Sequence, residues 1–186
     1  TRALVAMHAN WTTAQVGACL ERTGVGILFI NESTRAKALA AAPHGGKLQY
    51  LVQLGPGTDA PSAKLSTLED FVASAGDDLT DDGAEFAPED LVVLMFTSGS
   101  TGTPKPVCVT AASLTYDIRA PNFLRPLVVC SFTPSSLAAD FLSVWGVVLS
   151  GGRVGFKAPG CSDLIGVIRA VAPTVISAPP VLWATL

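Results

Sequence analysis

The residues best suited to chemistry lie together in one segment, Thr97-Ser98-Gly99-Ser100-Thr101-Gly102-Thr103-Pro104-Lys105. Five of these nine residues carry hydroxyls, two are glycine, and a single cation closes the run. Phosphate oxygens are held by backbone N–H groups, hydroxyl donors and positive charge. Glycine lets successive N–H groups turn inward as an anion-binding nest, and Lys105 adds a point charge. An ordinary polar turn is also rich in Ser, Thr and Gly. The segment is not a Walker A loop, G-x-x-x-x-G-K-[ST], because Pro104 precedes Lys105 and Pro106 follows it. The dinucleotide fingerprint G-x-G-x-x-G fails too, because Gly99 and Gly102 stand three apart with no third glycine in place.

Other reactive side chains are sparse. Cys19, Cys108, Cys130 and Cys161 have no C-x-x-C spacing and read as reduced, mostly buried thiols. With only His8 and His44, paired zinc ligands are not in sight. Asp140 is an odd carboxylate in the apolar run LAADFLSVWGVVL. It reads either as a hydrogen-bonded polar residue or as a carboxylate that orients a substrate. Trp11, Trp145 and Trp183 read as packing residues. No residue stands out as a general acid, base or nucleophile.

The elements that must position these residues alternate. VGILFI (25–30), QYLVQL (49–54), DLVVLMF (90–96), VCVT (107–110), PLVVCSF (126–132), RVGF (153–156) and PTVIS (173–177) read as strands. Thr12 can cap a helix over 15–22 and Thr67 one over 67–75. Helices are also expected over 111–119, 137–149 and 162–171, with another starting near Pro179 or Pro180. Strands alternating with helices predict an α/β fold of layered, largely parallel sheets with covering helices. The phosphate-type loop then joins strand to strand, unlike a P-loop, which opens a helix.

Composition narrows the class. The chain has 186 residues, 49% hydrophobic and 15% charged, with a net charge of -3. That excludes a disordered chain and argues against a nucleic-acid partner, which would need a basic surface. No apolar run reaches the roughly 18 residues of a membrane span. The first residues carry neither a secretory signal nor an initiator Met, so a cytoplasmic segment of a longer chain is expected. Acids cluster at Asp77, Asp78, Asp81, Asp82, Glu85, Glu89 and Asp90, which reads as a solvated linker over residues 76–90.

FTSGSTGTPKPV is similar to the phosphate-binding signature of the acyl-adenylate-forming (AMP-binding) superfamily. That group includes acyl-CoA synthetases, adenylation domains, luciferases and carboxylic acid reductases, and nine consecutive positions fit (97–105). AMHANWTTAQVGACLERTGVGILFI (6–30), SFTPSSLAADFLSVWGVVLSGGRVGF (131–156) and PTVISAPPVLWATL (173–186) resemble the units that flank it.

The resemblance implies an AMP-forming ligase, in which ATP and Mg²⁺ activate a carboxylic acid as an acyl-adenylate. A thiol of CoA or of a carrier protein's phosphopantetheine, or a fused downstream domain, then takes the acyl group. Thr97, Ser98, Gly99, Ser100, Thr101, Gly102, Thr103 and Lys105 are the implied ATP phosphate-binding residues, and Asp140 and Trp145 the implied acyl-pocket residues. Pro106 stands where the family usually has Gly, and Leu137 where many members have His. Residues 1–186 are expected to form an incomplete AMP-binding domain, part of an N-terminal domain, inactive alone. The adenine- and ribose-binding motifs and the catalytic Lys would then fall beyond Leu186. The competing expectation is a degenerate, non-catalytic remnant acting as a scaffold.

Overall fold

The computed structural model describes residues 3–55, 65–74, 76, 85–97, 104–119, 127–158, 160–178 and 180–183. Strands β1 (Leu4–Val5), β2 (Ile27–Ile30), β3 (Tyr50–Gln53), β4 (Leu65–Thr67), β5 (Leu91–Thr97), β6 (Lys105–Thr110), β7 (Val128–Ser131) and β8 (Arg153–Phe156) are interleaved with helices. The helices are α1 (Thr13–Thr23), α2 (Glu32–Ala41), α3 (Leu68–Ser74), α4 (Ala111–Arg119), α5 (Ala138–Leu149), α6 (Leu164–Val171) and α7 (Pro180–Trp183). The chain divides into two compact units. One holds α1 to α3 with β2 to β4, and the other holds β1, β5 to β8 and α4 to α7.

In the first unit β2, β3 and β4 form a parallel sheet in that order, with Leu28 opposite Leu51 and Leu51 opposite Leu65. α1 starts where the sequence predicts. The Thr12 hydroxyl accepts the Gln15 N–H, and the Gln15 side chain accepts the Thr12 N–H in return, closing a capping box. The helix stops at Gly24, whose φ of 64° is left-handed and suits glycine. Val16, Leu20, Ile30, Ala38, Ala41, Leu48, Leu51 and Leu65 make the core. Fully buried side chains such as Leu20 and Leu51 each contribute about 1.5–3 kcal/mol.

The second unit has two sheets. β5 lies between β1, parallel to it, and β6, antiparallel to it. Among the described residues β6 therefore closes one side of that sheet, and its Lys105, Pro106, Val107 and Cys108 are exposed. β7 and β8 pair in parallel, α5 makes the crossover between them, and α6 returns the chain to a bridge between Val175 and Val129. The segment 173–177, expected as a strand, contributes only that bridge. α2, β4 and β1 were not expected from the sequence. The layered α/β class and the mostly parallel pairing agree with the sequence reading.

Candidate functional site

The antiparallel register of β5 and β6 brings Thr97 opposite Lys105, with Phe96 opposite Pro106 and Met95 opposite Val107. Val93 and Met95 anchor β5 in the core, while Thr97 and Lys105 stand exposed at the end of the hairpin. Strand thus meets strand across this loop, as the sequence predicts. Pro106 belongs to β6 and not to the loop, so its fixed φ stiffens the first residues of the strand. Ser98, Gly99, Ser100, Thr101, Gly102 and Thr103 lie outside the described residues. Among the described residues no carboxylate pairs with the Lys105 ammonium. The arrangement offers one hydroxyl and one cation side by side at a strand end, a pair suited to an anion.

Asp140 sits in the first turn of α5 and is buried, 9% exposed. Burying a carboxylate is tolerated only when hydrogen bonds replace water. Here the Ser131 hydroxyl reaches Asp140 Oδ2 at 2.9 Å and Oδ1 at 3.1 Å, and the Thr133 hydroxyl donates to Oδ1 at 2.9 Å. Ser131 ends β7, and its carbonyl also accepts the Lys157 N–H at 3.0 Å. The carboxylate therefore ties the carboxyl end of β7 to the helix that follows. The neighbouring Cys130 thiol is pushed above its ordinary pKa, first by burial and then by the Asp140 charge. Among the described residues the hydroxyls of Ser131 and Thr133 are the partners of Asp140.

Trp145 lies five residues further along α5, about 140° around a helix of 3.6 residues per turn. It is half exposed and stands with Phe141, ring centroids 6.2 Å apart at 54°. The helix does not bring Asp140 and Trp145 onto one face.

The first unit carries a cavity of about 210 Å³ that the sequence did not signal. It opens at the carboxyl end of β2, beside the start of α2, and is lined by Met7, His8, Asn31, Thr34, Lys37 and Leu54 among others. The Lys37 ammonium donates to the Ala9 carbonyl at 2.7 Å across its rim, and the Asn31 side chain accepts from the Thr34 N–H as the N-cap of α2. A mainly apolar floor with a polar rim suits a small amphipathic group. His8 and Asn31, more than 20 positions apart, carry no shared pattern that could announce it.

Among the described residues no cluster of three His, Cys, Asp or Glu could hold a metal ion. Among them, too, no helix is long and apolar enough to cross a membrane.

Residues 2–186 match the AMP-binding enzyme family. Fatty acyl-CoA synthetase A of Dictyostelium discoideum is 29% identical over 133 residues, 69% of this chain and 20% of that protein. A long-chain-fatty-acid–CoA ligase of Gallus gallus is 27% identical over 194 residues, 93% of this chain and 25% of that protein. The chain thus spans about a fifth to a quarter of the curated relatives it matches. Among solved structures, the adenylation domain of a carboxylate reductase from Mycobacterium chelonae superposes with a TM-score of 0.71. It is 21% identical, and the match covers 92% of this chain and 30% of that one.

Proposed function

Because the chain belongs to the AMP-binding enzyme family, we propose that it is the phosphate-binding part of an ATP-dependent acyl-activating ligase. In this reading residues 1–186 are an incomplete AMP-binding domain, with 76–90 as its acidic linker, and the segment 97–105 holds the β- and γ-phosphates of ATP. The substrate is a carboxylic acid. The names of the two relatives, both fatty-acid-type CoA ligases, make long-chain fatty acids the first to try. A thiol of CoA or of a carrier protein's phosphopantetheine accepts the acyl group, and a cytoplasmic setting belongs to the same reading. The 186 residues alone are inactive, because the adenine, ribose and lysine functions lie elsewhere in the complete enzyme.

The observation that carries the reading is the pairing of Thr97 with Lys105 across the β5–β6 hairpin. Attack of a carboxylate on the α-phosphorus expels pyrophosphate, and negative charge accumulates on the departing oxygens. No covalent enzyme intermediate is needed, so the work of this segment is positioning and charge stabilisation. The Lys105 ammonium meets the growing charge. The hydroxyls of Thr97, Ser98, Ser100, Thr101 and Thr103 donate to phosphate oxygens, and Gly99 and Gly102 let the backbone approach. The pairing of β5 with β6 sets Thr97 and Lys105 opposite each other before the charge develops, which is when preorganisation counts.

The test is ATP–pyrophosphate exchange by the complete enzyme with a panel of fatty acids. Lys105→Ala is expected to lower exchange by about 10²–10³-fold, the cost of one preorganised donor, with the fold retained by circular dichroism. Exchange at the wild-type rate in Lys105→Ala would refute the assignment of the loop. A complete protein with no exchange on any carboxylate would instead leave the scaffold reading, which Pro106 and Leu137 favour.

A further inference from the structure

A buried carboxylate that holds two hydroxyls of its own chain acts first on the path of that chain. Asp140 accepts from Ser131 and Thr133, two residues apart on the same strand end. Pinning both hydroxyls to one carboxylate fixes the direction in which the chain leaves β7. The path then continues through Pro134, whose φ is locked, and a turn in which the Leu137 N–H meets the Pro134 carbonyl at 2.9 Å, and α5 begins. This turn lies at the carboxyl end of a parallel strand, where α/β proteins bind their ligands. It also holds Ser136, whose hydroxyl oxygen is shut from water with no hydrogen-bond partner among the described residues. A buried hydroxyl left without a partner is uncommon and calls for a group that can meet it.

We propose that Asp140 is a positioning residue for the acyl substrate: its carboxylate clamps Ser131 and Thr133 so that the turn 132–137 presents a fixed wall to the carboxylic acid. The proposal rests on the acyl-activating reading above, which supplies the substrate. It explains why an otherwise apolar helix carries an acid on its buried side. An apolar residue there would pack at least as cheaply, but would leave the strand end free to wander.

The experiment uses the complete enzyme and the variants Asp140→Ala, Asp140→Asn and Thr133→Val. KM is measured separately for carboxylic acid and for ATP by pyrophosphate exchange, and amide hydrogen exchange is followed over 131–140. Asp140→Ala is expected to raise KM for the acid about tenfold, since small misplacements at a site are costly, with KM for ATP unchanged. Amides of 132–137 should exchange faster while those of β5 and β6 do not. Asp140→Asn, which keeps the shape and one acceptor oxygen, should restore most of the acid KM, and Thr133→Val should raise it about threefold. Unchanged KM values, or equal loss for both substrates alongside a general fall in Tm, would overturn the proposal. If Asp140→Ala does not fold, Thr133→Val decides by the same readout. If the wild-type enzyme activates no acid, the function reading has failed, and unaltered exchange of 132–137 in the variants would sink the clamp independently.

Discussion

Gly155 gives the most direct test of the packing that supports β7. It lies on β8, opposite Cys130 of β7, and faces α6 on its other side. A β-carbon placed there would stand 2.8 Å from Val171 Cγ1 and 3.2 Å from its Cβ, with Cγ2 nearer still. Non-bonded carbons settle at about 3.5–4.0 Å. Val171 ends α6 and is β-branched, so its χ1 is held by the helix and it cannot rotate aside. Gly155→Ala must therefore push α6 away from the sheet. Overpacking of this kind costs about 1–3 kcal/mol, and the entropy gained by replacing a strand glycine returns about 0.5–1 kcal/mol. A net loss of about 1–2 kcal/mol is expected in urea unfolding. Val171→Ala alone should cost about 1 kcal/mol for two partly buried methyls. The double variant should be more stable than the sum of the two losses by about 1 kcal/mol, because the clash is gone. Additive losses, or a Gly155→Ala protein more stable than wild type, would refute the packing argument.

Thr12→Ala removes the capping box of α1 and should cost about 1 kcal/mol, with faster amide exchange confined to the first turn of that helix. Cys19 lies on the buried face of α1 and its thiol is pushed up to about 11. The cause is chiefly burial, opposed by a hydrogen bond with Thr23 and by Arg22. Above an ordinary value near 9 the unfolded chain loses this proton while the folded chain keeps it. Stability should therefore fall as pH rises from about 9 to about 11, and Cys19→Ser should flatten that part of the unfolding curve. At pH 8 a thiol reagent should label the exposed Cys108 readily and leave Cys19 and Cys130 intact, as mass spectrometry of digested peptides would reveal.

How much of this could be read in advance depended on whether the signal was local. α1 could be placed from Thr12 and the spacing of Val16, Cys19 and Leu20, because capping and periodicity act within one turn. β2, β3, β5 and β8 stood out as short β-branched runs. α2 did not, because NESTRAKALAA shows no marked apolar stripe and buries only Ala38 and Ala41. Its Asn31–Thr34 cap was the available sign. PTVIS has strand composition, but what it pairs with is decided by α6, and it gains only the bridge from Val175. In the site, the composition of the loop drew attention to Thr97 and Lys105, and their pairing followed from two flanking strands. The oddity of Asp140 was visible, but its partners were not: Ser131 and Thr133 are unremarkable hydroxyls until β7 and α5 are packed together.

The place of Pro106 in the fold has a consequence for the chain's behaviour in a crowded cell. A sheet border normally offers a row of amide donors to any stray strand that drifts by, including one from a newly made copy of the same protein. At this border the residue opposite Phe96 has no amide hydrogen to offer, and its neighbour Lys105 is charged. The segment thus discourages unwanted self-association along β6, the border of this sheet among the described residues, so that the residue most at odds with the family pattern protects the strand that carries it.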